Sequence, residues 1–187
     1  MSSTALQPTI ATDTGVPDAD VVAAAIAGGA WAWESLYIWL APGLTAYFRS
    51  TGAGQDAEDL VSETFLRMVR AIHGFEGDAD QLKTWVFTIA RNLRLDRARQ
   101  RGRRGIDATF ETAPEQPSSA NVEDTVSGLD SLLWLLGQLT DQQREVMALR
   151  ILGDLTADQI AHALNVKLPK VKSLLRRASE RLIELHG

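Results

Sequence analysis

The sequence predicts an all-α fold of two small helical domains joined by a flexible acidic linker, and three observations carry that reading. Spacings of three and four between apolar residues recur along the chain, whereas Val-, Thr- and Ile-rich alternation is missing. The segment 105–128 contains Pro114, Pro117, Ser118 and Ser119 with Asp107, Glu111, Glu115, Glu123 and Asp124, and no basic residue. That composition cannot bury a core. Apolar residues make up 45% of the 187, enough for a globular unit on each side of such a segment.

Taken in order, residues 1–17 read as a flexible tail and 18–104 as the first domain. Asp18 to Ala27 predicts a short helix closed by Gly28-Gly29, and Trp31 to about Phe48 a longer one bent at Pro42-Gly43. Asp56 to about His73 follows, with Leu60, Val61, Phe65, Met68, Val69 and Ile72 as its buried side. After the polar loop Gly74–Asp80, the helix from Gln81 to about Gln100 places Trp85, Ile89 and Leu93 on one core stripe.

The second domain, 129–187, has the clearest local signals. Thr140-Asp-Gln-Gln143 and Thr156-Ala-Asp-Gln159 both match the capping box, in which a Thr hydroxyl and a Gln side chain satisfy amides at a helix start. The first opens a helix that stops at Gly153, and the second opens a short one over Ala157–Leu164. Pro169 suits the first position of a last helix reaching about Leu185, because its missing N–H would be unpaired there anyway.

Composition narrows the function classes. The N-terminus has neither a basic region nor an apolar core like that of a signal peptide, and no apolar run is long enough to span a bilayer. With no cysteine, disulfides and thiolate zinc sites are excluded, and a cytoplasmic setting follows. His73, His162 and His186 share no ligand spacing, so neither metal nor cofactor is expected. An enzyme built on Asp56, Asp59 and His73 lacks a nucleophile–base pair, and the chain reads as non-catalytic.

The net charge of −5 argues against a nucleic-acid partner until its distribution is considered. Most of the 19 Lys and Arg fall in two runs, Lys83 to Arg104 and Lys167 to Arg181. Two basic patches on an acidic chain suggest two meetings with phosphate. In the second run a short helix, a turn and a longer basic helix make a helix-turn-helix, with Lys170, Lys172, Ser173, Arg176 and Arg177 on the presented face. A helical hairpin with a solvated face has the same spacing. The crowding of Lys167, Lys170 and Lys172 at the helix N-terminus, where the dipole disfavours cations, points to an anionic partner. In the first run Phe87 and Asn92 lie off the core stripe beside Arg91, Arg94 and Arg97, a composition suited to unpaired bases but equally to a solubilising helix end. Asp56, Glu58, Asp59 and Glu63 head their helix, where the dipole favours acid and where a basic protein partner would also dock.

DAEDLVSETFLRMVRAIHGF with TWVFTIARNLRLDRARQRGRR resembles region 2 of the extracytoplasmic-function group of sigma-70 family sigma factors. LTDQQREVMALRILGDLTADQIAHALNVKLPKVKSLLRRASERL resembles region 4 of that group. The resemblance implies a promoter-specificity subunit of RNA polymerase. Asp56, Asp59, Leu60, Glu63 and Phe65 would dock on the clamp coiled coil of the largest core subunit. Asn92 with the 74–81 loop would hold a flipped base of the melted −10 element, near Phe87, Arg91, Arg94 and Arg97. Lys170, Lys172, Ser173, Arg176 and Arg177 would read the −35 element, and the apolar side of 140–164 would grip the flap of the second-largest subunit. An anti-sigma factor is a further implied partner. Pro169-Lys170 and Leu174 depart from the family pattern, so −35 preference does not transfer. The competing reading is a stand-alone helix-turn-helix regulator, which would bind duplex DNA without polymerase.

Overall fold

The computed structural model describes residue 17, residues 19–105 and residues 124–186. The expected tail over 1–16 and most of the expected linker lie outside the described residues. Eight α-helices are described: α1 (Ala19–Ile26), α2 (Ala30–Ser50), α3 (Ala57–Ala71), α4 (Ala79–Gly105), α5 (Asp124–Gly137), α6 (Asp141–Ile151), α7 (Ala157–Leu164) and α8 (Leu168–His186). Short 3-10 turns flank α3 at Gly54–Asp56 and Ile72–Gly74. Among the described residues there is no strand, as the missing alternation predicts.

Local chemistry explains the helix boundaries. Gly28 closes α1 with φ +85°, a left-handed conformation in which a side chain would be strained. At α6 and α7 both expected capping boxes form. Thr156 N–H donates to Gln159 Oε1 at 2.7 Å, and Gln159 N–H returns to Thr156 Oγ1 at 3.2 Å. A third reciprocal cap opens α4, where Asp78 N–H meets Gln81 Oε1 at 2.9 Å and Gln81 N–H meets Asp78 Oδ1 at 2.8 Å. The helix therefore starts at Ala79, two residues before the sequence suggests. Similarly, α5 begins at Asp124, inside the span assigned to the linker. Leu129, Leu132 and Leu136 continue a spacing of three and four along it. Pro42 lies within one continuous α2, and Pro169 is the second residue of α8.

The two halves share one core. Leu36, Leu44, Phe48, Leu60, Met68 and Val86 from the first half join Leu136, Val146, Leu149, Ile160 and Val171 from the second in one apolar cluster. They meet because α2 packs on α5 and α6 while α4 packs on α7. Glycine permits the approach: a Cβ at Gly43 would lie 2.6 Å from the Leu152 carbonyl oxygen, and one at Gly153 3.2 Å from the Phe87 ring.

This second packing surface alters the expected core faces. On α4 the large buried apolar residues are Leu82, Val86, Phe87 and Leu93, whereas Trp85 and Ile89 are only partly covered. A helix covered on two sides buries more than one stripe. On α3 and the turn that follows it, Leu60, Val61, Met68 and Ile72 are buried as expected, but Phe65 is half-buried and Val69 is 46% exposed.

Removing one reciprocal cap should cost about 1 kcal/mol. Thr156→Ala is expected to lower the unfolding free energy by that amount in chemical denaturation followed by circular dichroism, without changing the fold.

Candidate functional site

The helix-turn-helix is present as α7, a turn and α8. Asn165 ends α7 in the left-handed conformation, φ 52°, and its N–H bonds the carbonyls of Ala161 and His162. Val166 N–H also returns to Ala161 O at 3.0 Å, so the chain turns sharply before α8 begins. Val171 and Ala178 anchor α8 inward, with Leu174, Leu175 and Leu182 partly buried against the same core. Lys170, Lys172, Arg176 and Arg177 are exposed and Ser173 is half-buried, so these candidates share one helix outside the core. Arg176 pairs with Glu180 at 2.6 Å on the exposed surface, a contact that water screens strongly.

The basic residues of α4 are placed differently. Glu145 of α6 reaches across to Arg91 and Arg94: Arg91 Nε lies 3.7 Å from Glu145 Oε1, and Arg94 Nη2 bonds Glu145 Oε2. Tyr47 Oη donates to Glu145 Oε1 at 2.6 Å. The Glu145 side chain is 12% exposed, and those of Arg91 and Arg94 25% and 20%. Burial, and then the Glu145 charge, push the Tyr47 phenol far above its ordinary range. Asn92 and Arg97 remain exposed on α4.

Phe87 requires a correction. Its position off the expected stripe suggested a ring free to meet a base, but it is 1% exposed. It stands edge-on to Tyr47, with centroids 5.8 Å apart, and Gly43 and Gly153 close over it from the two halves. Phe87 is a packing residue of the junction. Leu60 is corrected likewise: it lies in the core beneath α3 and presents no surface to a partner.

The remaining acidic candidates do gather on one end of α3. Asp59 and Glu58 are exposed, Glu63 pairs with Arg67 at 3.2 Å, and Asp56 is bonded to Arg101 of α4. Beside them the Phe65 ring meets Tyr37 at a tilt of 46° with centroids 4.9 Å apart, and Tyr37, Ile38, Leu66 and Val69 are exposed. The apolar side expected over 140–164 is largely consumed by the core, since Val146 to Leu149 are all buried and Ile151 alone stays exposed on α6 among its large apolar residues. No group of His, Asp or Glu among the described residues converges as a metal site would require, and no helix among them is long and apolar enough to cross a membrane.

Sequence reasoning missed Glu145 and Tyr47. The one available signal was a lone acid preceding four consecutive buried positions, which marks a charge at the margin of a core but does not name its partner 98 residues away.

Comparison with known families places Sigma-70 region 2 on residues 42–104 and Sigma-70, region 4 on residues 129–182. The ECF RNA polymerase sigma factor SigM of Bacillus subtilis is 30% identical over 138 residues, spanning 70% of this chain and 80% of that protein. BldN of Streptomyces coelicolor, also an ECF RNA polymerase sigma factor, is 33% identical over 172 residues, spanning 89% of this chain and 64% of its own. Among solved structures, the sigma factor RpoE of Bartonella quintana, determined with the anti-sigma factor NepR, superposes with a TM-score of 0.65 at 27% identity. It covers 81% of this chain and 94% of its own. CnrH, solved with the cytosolic domain of CnrY, shares the fold with a TM-score of 0.63 at 24% identity, covering 92% and 97%.

Phe87→Ala should destabilise the chain by about 3–5 kcal/mol in denaturant unfolding, the cost of emptying a closed aromatic site. A second expectation concerns alkali. The folded phenol of Tyr47 is raised above the ordinary value of about 10, so its contribution is complete below that pH and is lost as pH rises beyond it. Stability measured from about pH 9 to about pH 11 should therefore fall less steeply in Tyr47→Phe than in the parent.

Proposed function

The chain belongs to the extracytoplasmic-function group of the sigma-70 family, and we propose that it works as a non-catalytic cytoplasmic subunit that directs core RNA polymerase to promoters. The observation that carries this reading is the pairing, in one chain and in the family's order, of the acid-headed α3 and basic α4 with the helix-turn-helix of α7 and α8. A stand-alone regulator needs only the second half.

In this reading α8 enters the major groove of the −35 element with Lys170, Lys172, Ser173, Arg176 and Arg177, whose charges also meet flanking phosphates. Asn92 and the 74–81 loop take an unpaired base of the −10 element, with Arg91, Arg94 and Arg97 along the strand. Exposed Asp59 with Asp56, Glu63 and half-buried Phe65 meets the clamp coiled coil of the largest core subunit. Ile151 lies at the edge of the surface offered to the flap. Core polymerase holds the two weak DNA contacts at a fixed separation, so each strengthens the other, and strand opening is driven by binding energy. An anti-sigma factor fits as a regulator, in keeping with the NepR complex of the Bartonella quintana relative.

Run-off transcription with core enzyme on genomic promoter fragments tests the proposal, which fails if a folded chain starts no transcript. Lys170→Ala with Arg177→Ala should lower promoter-dependent initiation about tenfold or more while leaving the thermal midpoint unchanged, as expected for lost DNA contacts on an exposed face.

A further inference from the structure

We propose that Glu145 is an intramolecular latch. In the free chain it occupies Arg91 and Arg94 and holds the halves closed, so the two arginines are withheld from a DNA strand until polymerase parts the halves. The inference rests on the −10 role assigned above to those residues.

The geometry supports it on three sides. First, one carboxylate of the second half engages both guanidinium groups and the Tyr47 hydroxyl of the first, with all four side chains mostly buried. Second, the cleft beside them, ≈ 580 Å³, is lined by Arg91, Arg94 and Leu95 on one wall and by Glu145, Lys170 and Leu174 on the other. Both arginines line that cleft beside Glu145, so a strand that takes them has to displace its carboxylate. Because Lys170 lies in it, the first turn of α8 faces α4, and the two basic surfaces line one open cleft. Third, α7 lies over the start of α4. Gln159 Nε2 approaches the Asp80 carbonyl at 3.4 Å, and a second cleft joins Phe75, Glu76 and Trp85 to Asp158 and His162.

The latch is also built to be exchanged. Nε of Arg91 and of Arg94 is buried and makes no hydrogen bond within the protein. Each arginine thus keeps a donor that a phosphate-bearing strand would use, and a strand can outcompete a single carboxylate once the halves separate. Around the cluster the other charged groups are Arg144, Asp141 and Lys170. Arg144 is committed to the carbonyls of Leu136, Gly137 and Leu139, and to Asp141 at 3.4 Å.

The test uses the full chain. Because it lacks cysteine, dyes can be placed at Ser62→Cys on α3 and Ser179→Cys on α8, both exposed. Glu145→Gln should lower energy transfer between the dyes. It should also raise affinity for a mixed-sequence single-stranded DNA of about 20 nucleotides by about tenfold at low salt. The same substitution at exposed Glu34 should do neither, and adding Arg91→Ala and Arg94→Ala should abolish the gain in affinity. If Glu145→Gln loses helical circular dichroism, the decision passes to the charge swap Glu145→Arg with Arg91→Glu and Arg94→Glu, which should restore parental transfer. Unchanged transfer and affinity in a folded Glu145→Gln, or a folded swap that stays open, would overturn the latch. Run-off transcription by the parent separates the two proposals: if it starts transcripts while the variants behave like the parent, the latch alone is wrong. If it starts none, the sigma reading is wrong, and the dyes still report whether Glu145 holds the halves.

Discussion

A carboxylate removed from water must find compensation, and in this chain Glu145 finds it only across the junction between the two halves. Tyr47, Arg91 and Arg94 supply the hydrogen bonds and opposite charge that make its burial tolerable. Much of the surrounding structure follows from that constraint. For the groups to meet, α6 must lie against α2 and α4, which places Gly43 under Leu152 and seals Phe87 between Tyr47 and Gly153. Buried ion clusters contribute little net stability, because desolvation consumes most of the Coulombic gain. Removing one member costs about 3–5 kcal/mol, since the others remain buried without compensation. The ion cluster thus makes the junction specific, while its cohesion comes from the apolar core that the halves share.

Charge read along the chain differs from charge presented to a partner. The run from Lys83 to Arg104 looks like one cationic strip, but folding assigns several of its members to acids. Lys83 is buried, pairs with Asp154 at 3.2 Å and sits 5.4 Å from the Trp39 ring centre. Arg91 and Arg94 go to Glu145, and Arg101 to Asp56. By contrast, Lys170, Lys172 and Arg177 on α8 stay exposed. An acidic protein can in this way keep its basic surface small until a partner rearranges it.

What was legible in the sequence was what a few neighbouring residues decide. The all-α class, both Thr-x-x-Gln caps, the limits of α7 and the helix-turn-helix all follow from spacings of three or four. The Asp78-x-x-Gln81 cap is equally local, but it sits in a loop that reads as merely polar. Phe87 and Val69 were misplaced for a different reason. Periodicity finds one buried face per helix, but it cannot tell how many faces a neighbour covers, or which way α3 is rolled. Glu145 and Tyr47 were beyond reach, since nothing near either residue encodes a partner 98 positions away.

The three reciprocal caps have a consequence for modularity. Because α4, α6 and α7 each satisfy their opening amides within four residues of their own sequence, none borrows a terminus from the other half. Either half is therefore a cassette, and in a chimaera built with a related chain the graft would not have to rebuild helix ends. Compatibility would instead hinge on a few junction positions: glycine at 43 and 153, and a carboxylate at 145 facing arginines at 91 and 94. Divergence between paralogues at those positions would keep one chain's second half from closing on another's first.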